Sequence, residues 1–167
     1  MRGSTVRIAQ NYFNQASQVD PVSPVPWQAL AEIEFREGEQ NRSAFDRGVE
    51  LKKAAIQRDP LNPRQYFDLG RQLKQQYEVS HQQDDLTAAL ENFQRAVAGY
   101  PNNSHYRAEF AAALSEAGKT AESRHQAQRA IELDEANRRG QHVDKYLNEE
   151  TVSRMKEIIN ATQSNQN

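Results

Sequence analysis

The side chains of this chain best suited to chemistry are its four histidines, His81, His105, His125 and His142, and none keeps the company that metal binding requires. They fall in separate segments, with no His-Glu-x-x-His pair and no cysteine anywhere to complete a zinc site. Asp84 and Asp85 lie near His81, and a solvated turn with either aspartate as a helix cap accounts for that run. No glycine-rich phosphate loop, Gly-x-Ser-x-Gly elbow or kinase-like motif set is present. The expectation is a chain that is not an enzyme and that holds no cofactor and no metal.

Charge patterning narrows the partners. Arg124, Arg129, Arg138, Arg139 and Lys145 are interleaved with Glu122, Glu132, Asp134, Glu135 and Asp144, which reads as a salt-bridged, solvated face rather than a basic track. With a formal net charge of -2 there is no field to draw the chain onto nucleic acid, so no nucleic-acid partner is expected. Apolar runs such as Phe110 to Leu114 are far below the roughly 20 residues of a membrane helix, so direct membrane insertion is not expected and the segment reads as soluble.

The elements that would position any site are helices. Proline and asparagine clusters at Asp20–Pro26, Asp59–Pro63 and Tyr100–Ser104 interrupt the chain at near-regular intervals, because proline lacks the amide donor and disfavours helix in the residue before it. Between them apolar residues recur three and four apart, as in Trp27, Leu30, Ala31 and Phe35, or Phe93, Ala96, Val97 and Tyr100. Weaker breaks at Glu37-Gly38-Glu39, Ser80 to Asp85 and Ala117-Gly118-Lys119-Thr120 divide each segment into helix, turn, helix, with the glycines suited to left-handed caps and Thr120 to capping. The spacing predicts helices near 4–18, 26–37, 43–58, 63–79, 84–99, 104–117, 120–134 and 137–161, the last broken around Asn148. Hydrophobic residues at 37% suit a thin body that buries apolar surface only between neighbouring hairpins.

Aligned on their prolines, the segments repeat. Tyr66, Leu69 and Gly70 open one unit, Ala89, Phe93 and Ala96 follow, and Pro101 closes it. Trp27, Leu30 and Ala31, then Gly48, Ala55 and Pro60, trace the same pattern, as do Tyr106 or Arg107, Phe110 and Ala111 with Ala127, Ala130 and Glu135. This resembles the tetratricopeptide repeat family. The resemblance implies an all-α fold, a right-handed superhelical solenoid of antiparallel helix hairpins, here one domain over 1–167. Its parts would be a half-repeat at 4–21, repeats at 26–60, 63–101 and 104–136, and a capping helix at 137–161. The first two repeats are longer than the third, and the extra residues are expected in the turn inside each hairpin. Gly70, Ala89, Ala96, Ala111 and Ala130 are expected where helices approach closely, with Trp27, Tyr66, Phe93 and Phe110 filling the gaps. Val143, Tyr146, Leu147, Val152, Met155, Ile158 and Ile159 form the apolar stripe of the cap.

In that family, peptides lie on a concave face lined by the first helix of each hairpin. Carried over, the partner-binding residues are Gln28, Glu32 and Phe35, then Arg64, Phe67, Asp68, Arg71, Lys74 and Gln75, then His105 and Glu109. Gln28, Glu32, Asp68, His105 and Glu109 stand where chaperone-tail binders carry Lys, Asn and Arg, which argues against that ligand. Arg64, Arg71 and Lys74 suit an acidic or phosphorylated segment, with Phe67 as apolar anchor. The expected function is a protein-interaction scaffold that binds a protein or peptide segment in this groove.

The tail Asp134–Leu147 is also similar to the tails of bacterial O-antigen ligase or polymerase membrane proteins, which implies an alternative as the soluble C-terminal region of such a protein, with no catalysis in this segment. The opening Met1-Arg2-Gly3-Ser4 matches an expression-vector remnant, and Ala9, Phe13, Ala16 and Pro21 repeat only the second half of the pattern, as in a piece of a longer chain. That half-repeat leaves an apolar edge suited to self-association.

Overall fold

Asparagine and proline start most of the helices. Asn41 accepts the Ser43 and Ala44 N–H groups at 3.1 and 3.4 Å, Asn103 accepts that of Tyr106 at 3.1 Å, and Asn148 accepts that of Thr151 at 2.7 Å. Each satisfies amides that the first turn leaves without intrahelical partners. Pro26 and Pro63 sit at helix starts, where a missing amide costs nothing.

A computed structural model describes residues 2–39 and 41–161; Met1, the first residue of the tetrapeptide read as a vector remnant, lies outside the described residues. The elements are α1 (Arg2–Val19), α2 (Val25–Gly38), α3 (Arg42–Arg58), α4 (Pro63–Ser80), α5 (Gln83–Gly99), α6 (Ser104–Glu116), α7 (Thr120–Arg139), a 3-10 turn (Val143–Lys145) and α8 (Glu149–Ala161), with no strand among the described residues. The chain forms two compact units, Met1–Gln65 and Tyr66–Asn167.

In the first unit α2 and α3 form the closest pair, and α1 packs on α2. Phe35 and Phe45 are buried with ring centroids 5.4 Å apart. Gly38 and Gly48 let these helices meet: a Cβ on Gly38 would lie 2.8 Å from the Phe45 Cα, and one on Gly48 2.7 Å from the Phe35 ring. Gly38 is therefore needed for close approach and not for a left-handed turn, since Gly118 is the glycine with positive φ, at 71°. Arg47 ties the pair at its edge through Glu34, 2.8 Å away.

In the second unit Phe93 and Ala96 of α5 are fully buried, and Phe93 seats against Gly70 of α4, where a Cβ would lie 3.0 Å from the ring. Burying a phenylalanine of this kind contributes about 1.5–3 kcal/mol. On α6, Ala108, Ala111, Ala112 and Ala113 are all buried, a small-residue surface on which α5, α7 and α8 converge. The α6–α7 pair is sealed by the buried Ser123 hydroxyl, which donates to the Ala111 carbonyl at 2.8 Å.

Three further expectations are corrected. The extra residues of the second repeat lengthen a helix and not the turn: α4 has 18 residues against 13 in α6, while the α4–α5 turn is short. Thr120 does not cap α7; it is the helix's first residue, and its hydroxyl donates to the Gly118 carbonyl at 3.4 Å. The break expected around Asn148 is present and α8 begins just after it at Glu149, but the part expected as helix before the break is not one element, because α7 continues to Arg139 and the segment after it is held as a strap. The buried Asp134 carboxylate accepts the Leu147 N–H at 2.7 Å, while Arg138 donates to the Leu147 carbonyl at 2.9 Å and its guanidinium lies over the Tyr146 ring. Ser104 and Asn137 both donate to the Lys145 carbonyl, at 3.2 Å. Leu147 and Met155 thereby reach the core of Ala108, Ala111, Ala127 and Ala130, whereas Val143 stays 71% exposed.

Candidate functional site

Hydrogen bonds and ion pairs link α4, α6 and α8 around a cleft of 320 Å³ in the second unit, lined by Arg71, Lys74, Gln75, Glu78, Glu109 and Arg154. Helix α4 supplies the first four at spacings of three and four residues, which places them on one face; α6 adds Glu109 and α8 adds Arg154. Lys74 is the buried member. Its ammonium pairs with Glu78 and, at 3.0 Å, with Glu116, and Arg154 reaches Glu116 from the other side at 2.9 Å. Burial pulls the Lys74 pKa down, but the hydrogen bonds and charges of Glu78 and Glu116 outweigh it, so the group stays charged and its pKa is raised above the ordinary value.

Of the residues expected to bind a partner, the structure therefore brings together Arg71, Lys74, Gln75 and Glu109. Arg71 and Gln75 are exposed and Glu109 is half-buried. Lys74 is not an open cation, because its charge is already shared between two carboxylates. Glu116 belongs with the concave-face residues that the family resemblance implies, whereas Glu78 and Arg154 were not expected there; Arg154 lies 38 residues from Glu116 and reaches it only when α8 docks.

Other expected residues sit elsewhere. Phe67 is half-buried and stacked on Tyr106, with centroids 4.3 Å apart, and tilted on Phe93 at 5.9 Å, so it is part of an aromatic seam and not a free anchor. Asp68 is half-buried beside it in sequence. Phe35 is 5% exposed and belongs to the α2–α3 core, while Gln28 is half-buried and Glu32 exposed on the same helix. Arg64, in the first unit, is exposed at the start of α4, with its N–H on Asn62 Oδ1 at 3.1 Å. His105 is exposed and lines a separate 240 Å³ hollow with Tyr100, Asn137 and Lys145. The register of Phe110 and Ala111 puts Arg107 in the aromatic place; it is half-buried, donates to the Pro101 carbonyl at 2.7 Å, and its pKa is lowered by burial and by Arg129.

Likeness to solved structures decides the fold. The crystal structure of MamA matches with a TM-score of 0.58 at 13% identity, covering 94% of this chain and 88% of that one. A MamA RS-1 ArsTM double mutant matches at 0.62 and 13% identity, covering 99% and 89%. YrrB, described as a TPR protein with an unusual peptide-binding site, matches at 0.61 and 16% identity, covering 98% and 80%. The fold is tetratricopeptide-like. No protein-family model and no curated protein matches the sequence. No helix among the described residues is long and apolar enough to cross a membrane.

Proposed function

We propose that this chain is a non-catalytic protein-interaction scaffold that binds a partner segment on the α4–α6–α8 face. The observation that carries the reading is the polar cleft, in which charged side chains from three helices converge with almost no apolar lining. A tetratricopeptide-like fold and a neighbour described as having a peptide-binding site support it. The cleft carries both signs of charge. Arg71 and Glu109 keep no ion pair among the described residues, whereas Lys74 and Arg154 are committed to Glu78 and Glu116. The occupant is therefore a segment that presents an acidic group to Arg71 and a basic one to Glu109, recognised by charge-assisted hydrogen bonds more than by apolar burial. This replaces the purely acidic ligand expected from Arg64, Arg71 and Lys74.

The test is a paired capture from lysate with wild type and an Arg71→Glu/Glu109→Lys variant, followed by calorimetry of each captured candidate in purified form. Direct binding to wild type that the variant loses supports the scaffold. If every purified candidate binds both baits equally, the cleft is not the site.

A further inference from the structure

One face of α1 carries large apolar side chains that nothing in the first unit covers. Ile8, Tyr12 and Val19 are 69%, 66% and 85% exposed. At 3.6 residues per turn they fall within about 40° of one another around the helix axis, with Gln15 beside them. They do not belong to the side that packs inward, where Ala9, Phe13 and Ala16 are partly buried. Tyr12 is braced edge-on by Phe13, with centroids 5.4 Å apart. No residue from Ile8 to Val19 is charged, although charged residues make up 26% of the chain. Helix α8 is the contrast: its outward residues Glu149, Glu150, Lys156 and Glu157 are exposed and charged, a surface suited to water.

We propose that this stripe pairs α1 with α1 of a second copy, antiparallel about a two-fold axis. A two-fold interface sets each residue near the axis against its own kind, so a central charge would repel itself; the uncharged run meets that condition. The register follows from the spacing. Centred between Phe13 and Asn14, it sets Ile8 against Val19 of the second copy and Tyr12 against Gln15, whose amide can donate and accept. The same register brings exposed Arg7 to the end where the second copy carries exposed Asp20, an attractive pair on both sides. Three large side chains are a small patch beside the roughly 800 Å² per partner of a stable interface, so the dimer is weak.

Sedimentation velocity over a dilution series tests the surface, and cross-linking tests the register. Wild type is expected to shift from monomer toward dimer with concentration, and Tyr12→Lys to remain monomeric with an unchanged circular dichroism spectrum. Because the chain has no cysteine, Ile8→Cys/Val19→Cys is expected to give a disulfide-linked dimer on mild oxidation. Ile8→Cys alone is not, since the two copies of that position are about 16 Å apart in this register. A wild type that stays monomeric throughout, or a dimer that survives Tyr12→Lys, overturns the proposal. Cross-linking by Ile8→Cys alone as readily as by the double variant overturns the antiparallel register.

Discussion

The Lys74 ammonium, on a side chain only 8% exposed, lies 3.0 Å from the Glu116 carboxylate of α6. Glu116 is shared with Arg154 of α8, so one carboxylate ties three helices. Lys74→Met is expected to destabilise the fold by about 1–3 kcal/mol, because it leaves Glu116 partly buried with one cation fewer. Thermal melts of the two proteins measure this.

The same pair carries a pH signature. The Lys74 pKa is raised above the ordinary 10.5, so its contribution is fully present below that value and is lost as pH rises through the folded-state pKa. The difference in melting temperature between wild type and Lys74→Met should be constant from neutral pH to about pH 10 and shrink above it. A difference that grows with alkalinity would contradict the pairing.

Two glycines should be intolerant of side chains for different reasons. A Cβ on Gly38 would press on the backbone of Phe45 at 2.8 Å, which cannot swing away, so even Gly38→Ala should cost about 1–3 kcal/mol. At Gly70 the nearest atoms are the Phe93 ring at 3.0 Å, and Gly70→Leu should cost a similar amount by displacing that ring. Denaturant midpoints at unchanged m-value are the readout.

Asp134→Ala should release the strap between α7 and α8. The buried Leu147 N–H loses its acceptor and Arg138 loses its carboxylate at 2.8 Å, a cost of about 1–3 kcal/mol. Hydrogen exchange should rise in α8 and in residues 140–148 first, while the α4–α5 amides remain protected.

Arg71→Glu should leave stability within about 0.5 kcal/mol of wild type, since the side chain is exposed and holds no ion pair among the described residues. Affinity for a cleft ligand should fall by a factor that shrinks as salt is added.

The helices and their phase are determined by the sequence alone, because these depend on neighbours a few residues away. Proline and asparagine at the breaks, and apolar residues three and four apart between them, act through amide loss, capping and the helical repeat. Packing then decided what local pattern could not. Phe35 and Phe67 have the spacing of groove residues, yet both rings are taken up by aromatic neighbours, Phe45 for the first and Tyr106 for the second. Lys74 has the look of a free cation until α6 and α4 place two carboxylates on it. The end of α7 has a local signal in Gly140 after Arg138 and Arg139, but the docking of the segment beyond it has none, because the Asp134 carboxylate on the Leu147 amide joins residues on either side of the break. Long-range contacts, burial and the sharing of charge among helices are properties of the folded chain, and they separate the residues of the cleft from those of the core.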